Sequence, residues 1–240
     1  MPRARRLAST VVAAGLVVAG LAACRQAPGV AVYFGTAKAV TEEQVQKLWD
    51  DSFAKLSLDE NGKKVMPVSR RDIVGLLVEV DTLRELGRMQ GFTAVPVKAA
   101  EAAQSLKMAM DAPLVALIAE FSGWVTVAQQ KVAADQLTEA DLRDVYARIK
   151  ATGALPGKAT FEQFASSVTA EQRQSLGPAL GLRNDINTAA GNLRITFNPR
   201  YPAPSLPIYQ TTGPDGNPLT LIEATFGSSA AGAAPVRDLA

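Results

Sequence analysis

The chain has 240 residues, with 25 Lys and Arg against 23 Asp and Glu, a single cysteine and no histidine. One cysteine excludes an intramolecular disulfide. The lack of histidine excludes Ser-His-Asp and Cys-His catalysis, and with one cysteine it leaves structural zinc and His-ligated catalytic metals without ligands. Hydrophobic residues make up 48% of the chain and aromatic ones only 6%, so a sizeable core is expected, built from helices with small side chains at their contacts.

Arg3, Arg5 and Arg6 form a positive start, and Leu7 to Gly20 is a short apolar run. Leu21-Ala22-Ala23-Cys24 follows. A charged start, an apolar stretch and a small-residue cleavage site are the pattern of a secretory signal, so residues 1–23 are expected to be removed. Leu21, Ala22, Ala23 and Cys24 also resemble the lipobox of bacterial lipoproteins. That resemblance implies cleavage before Cys24 and a diacylglycerol on its thiol. A plain signal peptide or a retained helix is the competing reading. The apolar stretch is short beside the roughly 18 residues of a spanning helix, and the lone cysteine stands where cleavage would fall. Two acyl chains, at about 0.8 kcal/mol per buried methylene, anchor stably. The expected location is the extracytoplasmic face of the cell membrane. Loss of the three arginines takes the net charge from +2 to −1. No later segment is dense in Lys and Arg, so no nucleic-acid partner is expected.

Residues 24–29 read as a tether. Ala31-Val32-Tyr33-Phe34 is a β-prone run, and Gly35-Thr36 can turn. Thr41-Glu42-Glu43-Gln44 is a capping box followed by Val45, Leu48, Trp49, Phe53 and Leu56 at helical spacing. Asp59-Glu60-Asn61-Gly62 breaks the chain. Ser69-Arg70-Arg71-Asp72 caps a stretch with Ile73, Leu76, Leu77, Val80 and Leu83 on one face, ending near Gly91. Val97 to Met110 is alanine-rich and predicted helical. Pro113 opens the most apolar helix, to about Ala134, whose stripe is Leu114, Leu117, Ile118, Phe121, Val125 and Val132. Thr138 caps a helix with Leu142, Val145, Tyr146 and Ile149 inward. Thr160 and Thr169 begin two further capping boxes, expected to open short helices that end near Gly177-Pro178 and Gly191. About seven helices are thus expected between Thr41 and Ala190.

After Ala190 the pattern changes. Leu193-Arg194-Ile195-Thr196-Phe197 alternates and reads as a strand. Asn198 to Pro204 carries three prolines and cannot be helix. Residues 202–226 are read as a Pro-rich extended arm, with short strands at Leu206–Tyr209 and Leu219–Thr225 and a turn at Pro214–Pro218. Residues 227–240 are read as a disordered tail. The expected fold class is mostly α, with a helical domain over residues 30–201 closed by β pairing of Ala31–Phe34 with Leu193–Phe197.

Gly29 to Gly35, then Thr41-Glu42-Glu43-Gln44-Val45, and at the far end Leu193 to Tyr201, resemble the opening and closing strands of the SurA N-terminal chaperone domain. Tyr33-Phe34 and Pro202 depart from the family pattern. With the lipobox, the chain resembles small SurA-like lipoproteins of high-GC Gram-positive bacteria. The resemblance implies holdase-like binding of unfolded or exported polypeptides. SurA and PrsA relatives often carry a parvulin domain whose active site uses histidines. This chain has none, so no prolyl isomerase activity is expected.

Candidate client-binding residues are Trp49, Phe121, Trp124 and Met110, with Met108 and Met89 as adaptable neighbours. Each is also a type that packs in cores, and the sequence does not say which face solvent. A second reading is a scaffold lipoprotein docking to one cell-envelope complex through Pro199 to Pro218. A third is an enzyme using carboxylate pairs such as Glu42-Glu43, Asp50-Asp51 or Asp59-Glu60. Adjacent acids on helices and turns read better as a solvated surface. No catalytic residue, metal or cofactor is expected.

Overall fold

In the computed structural model, which describes residues 29–97, 99–155 and 157–229, β1 (Val30–Phe34) turns at Gly35 and returns antiparallel as β2 (Lys38–Thr41). Gly35 sits at φ +57, a conformation that glycine adopts without a Cβ clash. The segment expected to be a signal, the lipobox-like residues Leu21, Ala22 and Ala23, Cys24, the expected tether up to residue 28 and the chain beyond 229 lie outside the described residues.

Seven helices follow among the described residues: α1 (Glu42–Ala54), α2 (Arg70–Gln90), α3 (Ala99–Leu106), α4 (Pro113–Lys131), α5 (Glu139–Ala151), α6 (Phe161–Ser167) and α7 (Ala170–Leu193). The capping boxes at Thr41, Ser69, Thr138, Thr160 and Thr169 all form, side chain to N3 amide and N3 side chain back to the cap amide. Each satisfies two of the N–H groups a helix start leaves unpaired. Helix α4 lacks a cap of its own and borrows one. The hydroxyl of Ser52, fully buried on α1, accepts the Leu114 N–H at 3.1 Å, just after Pro113 at the first helical position.

The two β-prone ends meet. Strand β3 (Ile195–Phe197) pairs antiparallel with β1, with Val32 opposite Phe197 and Phe34 opposite Ile195. Strand β6 (Ser228–Ser229) adds in parallel to β3, giving the order β2-β1-β3-β6. Helix α2 forms the spine of the core. Its Ile73, Val74, Val78, Leu83 and Leu86 pack with Leu114, Val115 and Ala128 of α4, Leu182 and Ile186 of α7, and Val32 and Phe197 of the sheet. Burying each of these large side chains contributes about 1.5–3 kcal/mol.

Three expectations need correction. The segment read as an extended arm folds back on itself: its two expected short strands form, lengthened to β4 (Ser205–Thr212) and β5 (Pro218–Thr225), and they pair antiparallel as a hairpin. Its Ile222 joins Leu176, Ala179 and Leu180 of α7 in a small second core, and Ala224 and Phe226 are fully buried in the main one. Apolar burial, absent from an extended-arm reading, therefore makes residues 202–226 part of the body. Helix α7 runs through Gly177-Pro178 instead of ending there. A proline within a helix leaves a carbonyl without its donor, but Gly177 and Gly181 let the turn beside it press against residues 133–135. A Cβ on Gly181 would stand 1.9 Å from the Ala133 carbonyl oxygen, and Asp135 N–H donates to Gly177 O at 2.9 Å. Tertiary contact thus outweighs the local breaker. Finally, the alanine-rich helix stops at Leu106. Lys107 takes φ 53, and Met108 bridges antiparallel to Leu56, with Ser57 N–H on Lys107 O and Ala109 N–H on Lys55 O.

Candidate functional site: an apolar cleft between α2 and α4

Helices α2 and α4 pack closely at one end because glycines face them there. Gly87 accepts the ring of Trp124 so closely that a Cβ would lie 2.4 Å from it, and Gly123 lies under Val95 O at a corresponding 2.3 Å. Towards the other end the two helices leave a cleft of about 520 Å³. Ile73, Leu76 and Glu79 of α2 line it on one side and Leu114, Ile118 and Phe121 of α4 on the other. Pro202, Pro204 and Ser205 cross its end, where Pro204 packs 3.4 Å from the Cβ position of Gly75. A smaller cavity of about 180 Å³ lies beyond, lined by Val125, Leu182, Ile186, Leu206 and Ile208. Phe121 belongs to the walls of both.

The volume falls within the range of about 300–1,000 Å³ found for ligand pockets, which are mostly apolar with a few placed polar groups. One such group is present. Glu79 projects into the cleft half-buried, and no other described residue reaches its carboxyl with a hydrogen bond or ion pair. Burial without a partner disfavours the charged form, and it pushes the carboxyl up from 4.5 to about 7. Arg71 and Asp72 stand at the mouth.

The sequence-predicted client residues divide. Phe121 is in the cleft. Trp124 is on the same helix but locked: its ring covers Gly87, stands 6.2 Å from Phe92, and its indole N–H donates to Glu120 at 3.2 Å. Glu120 is held in turn by a two-point bond from Arg84, at 2.8 and 2.7 Å. Trp49 packs partly against the core, with the Arg70 guanidinium 4.6 Å above its ring. Met108 is buried, Met110 is 66% exposed in the loop before α4, and Met89 is exposed on the last turn of α2 beside Asn192. These side chains do not converge on one surface.

Four of the six acids in these pairs are engaged in structure. Glu42 meets Arg200 at 2.9 Å, Asp51 meets Lys47 at 2.8 Å, Asp50 accepts from Gln46, and Asp59 accepts the Asn61 and Lys63 amides within a turn. Among the described residues, no group of three acidic, histidine or cysteine side chains is placed to hold a metal, and no helix is long and apolar enough to cross a membrane. Compared with known proteins, the chain matches no family model, no curated protein and no solved structure.

Sequence reasoning missed Glu79. The signal was present: a single carboxylate between Val78 and Val80, three positions after Leu76 and so beside it at the edge of the apolar face. It also missed that the proline segment crosses this cleft, which no local pattern specifies.

Proposed function

We propose that this chain is a lipid-anchored extracytoplasmic protein that holds apolar segments of unfolded, exported polypeptides, without prolyl isomerase or other enzymatic activity. The observation that carries the reading is the cleft: an open, apolar surface of ligand-pocket size, walled by Leu76, Ile118 and Phe121. The lipobox at Leu21 to Cys24 supports the location. The resemblance of Gly29–Gly35, Thr41–Val45 and Leu193–Tyr201 to the SurA N-terminal domain supports the chaperone class. The scaffold reading relied on Pro199 to Pro218 as a docking arm. That segment is largely paired and packed on its own domain, so the cleft is the better-supported binding surface.

The test is light scattering of an aggregating unfolded protein in the presence of the soluble domain lacking residues 1–24. The domain should suppress aggregation at near-stoichiometric amounts and leave a proline-limited refolding step at its uncatalysed rate. Ile118→Asp should remove the suppression while Met110→Gln, outside the cleft, should not. Equal activity of both variants would move the site elsewhere, and no suppression by the parent domain would refute the holdase reading.

A further inference from the structure

Within its apolar walls, away from Arg71 and Asp72 at the mouth and Ser205 at the end, the cleft holds one carboxyl with no partner, that of Glu79. On α2 the other charged lining residues are Arg71 and Asp72, seven or eight positions earlier and so about 10 Å or more up the helix axis. Helix α4 contributes Leu114, Ile118 and Phe121, the preceding loop Val68, and the crossing segment Pro202, Pro204 and Ser205. None of these brings a charge to Glu79. Of the neighbouring charges on α2 and α4, Asp81 is matched by Lys38 and Arg84, and Glu120 by Arg84. Filling the cleft would take the half-buried Glu79 carboxyl further from water, and an opposite charge arriving with the occupant would satisfy it.

From this we infer that the occupant of the cleft is an extended apolar peptide segment carrying one basic side chain, whose ammonium or guanidinium group bonds the Glu79 carboxylate while its apolar neighbours contact Leu76, Ile118 and Phe121. The inference rests on the holdase reading and names its client class. An acyl chain with a neutral or anionic end would fill the volume but leave Glu79 unmatched or repelled. At the mouth Arg71 and Asp72 carry opposite charges and Asp72 already accepts the Ser69 N–H, so Glu79 alone sets the preference. The raised carboxyl adds a condition: near pH 7 the empty site is part protonated, and a bound cation draws it to the ionised form, so the preference for basic segments should weaken in acid.

The probe is the peptide Ser-Gly-Leu-Leu-Lys-Leu-Leu-Gly-Ser, acetylated and amidated, against the same peptide with norleucine at its centre, titrated into the soluble domain by calorimetry. At pH 8 the lysine peptide should bind about tenfold tighter, the scale of a hydrogen bond between charged groups in a partly dry site. That preference should fall several-fold at pH 5 and vanish in Glu79→Gln, a near-isosteric change whose folding circular dichroism can verify. Equal binding of the two peptides to the parent domain, or a preference kept by Glu79→Gln, would overturn the basic client while leaving the apolar site. Binding of neither peptide would overturn this inference and the holdase reading together.

Discussion

Replacing Glu79 by glutamine should stabilise the protein, and by an amount that depends on pH. In the folded state the carboxyl ionises at about 7 in place of 4.5. Below about 4.5 both folded and unfolded chains carry the proton, and the group makes no difference. Between 4.5 and 7 the unfolded chain releases the proton while the folded one keeps it, so stability falls as pH rises. Above 7 both are ionised and the loss levels off. The shift corresponds to ~3 kcal/mol at full value, and water entering the open cleft reduces this to ~1–2 kcal/mol. Glutamine cannot ionise, so Glu79→Gln should gain that amount at pH 8 and nothing at pH 4.5. Urea unfolding at the two pH values reads it directly. At pH 8 the melting temperature should rise by about 2–8 °C for a domain of this size. A variant that gains equally at both pH values, or loses stability at pH 8, would show that Glu79 is not held unpaired among apolar groups.

Other parts of the structure make separate predictions. Gly181→Ala should cost at least ~3 kcal/mol or prevent folding, as seen by circular dichroism, because the added Cβ meets the Ala133 carbonyl at 1.9 Å. Ser52→Ala leaves the buried Leu114 N–H without its acceptor and should destabilise by about 1–3 kcal/mol in urea; Ser52→Thr, which keeps the hydroxyl, separates that loss from packing. Phe226→Ala empties a fully buried position and should cost about 3–5 kcal/mol; an unchanged midpoint would return residues 202–226 to the status of an appended arm. Arg84→Ala breaks ion pairs to Asp81 and Glu120 that are partly exposed, and should cost no more than about 1 kcal/mol.

The local structure was largely legible and the assembly was not. Five capping boxes and the left-handed Gly91 mark helix ends through contacts between residues a few positions apart. Such contacts are written in the sequence. The strand at Ile195–Phe197 shows its alternation, and its pairing with β1 follows from there being two β-prone runs to match. Pro178 misled because its neighbours Gly177 and Gly181 act through residues 133–135, more than 40 positions away. The arm misled in the same way: nothing within residues 202–226 announces that Phe226 fills a core built by Val32 and Phe197. The aromatic residues were weak guides to the cleft, since a large ring such as Trp124 is as useful for covering a glycine as for meeting a ligand. A lone acid on an apolar helical face was the better pointer, and it is a charge that must be accounted for wherever the face ends up.

The sheet sets a rule for how the protein can come into being. One of its two inner strands, β1, stands at the start of the described chain, while the other, β3, which covers it, begins at Ile195, and β6 comes later still. A chain delivered amino end first, by a ribosome or through a translocation pore, presents residues 30–34 long before their partner emerges. Until then one side of β1 is an unpaired edge beside an unfilled core, and contacts this distant in sequence form slowly. A protein proposed to guard unfolded chains therefore passes through the same exposed condition during its own synthesis. Chains stalled or clipped before residue 195 should be the aggregation-prone ones, whereas losses beyond residue 229 spare every described strand of this sheet.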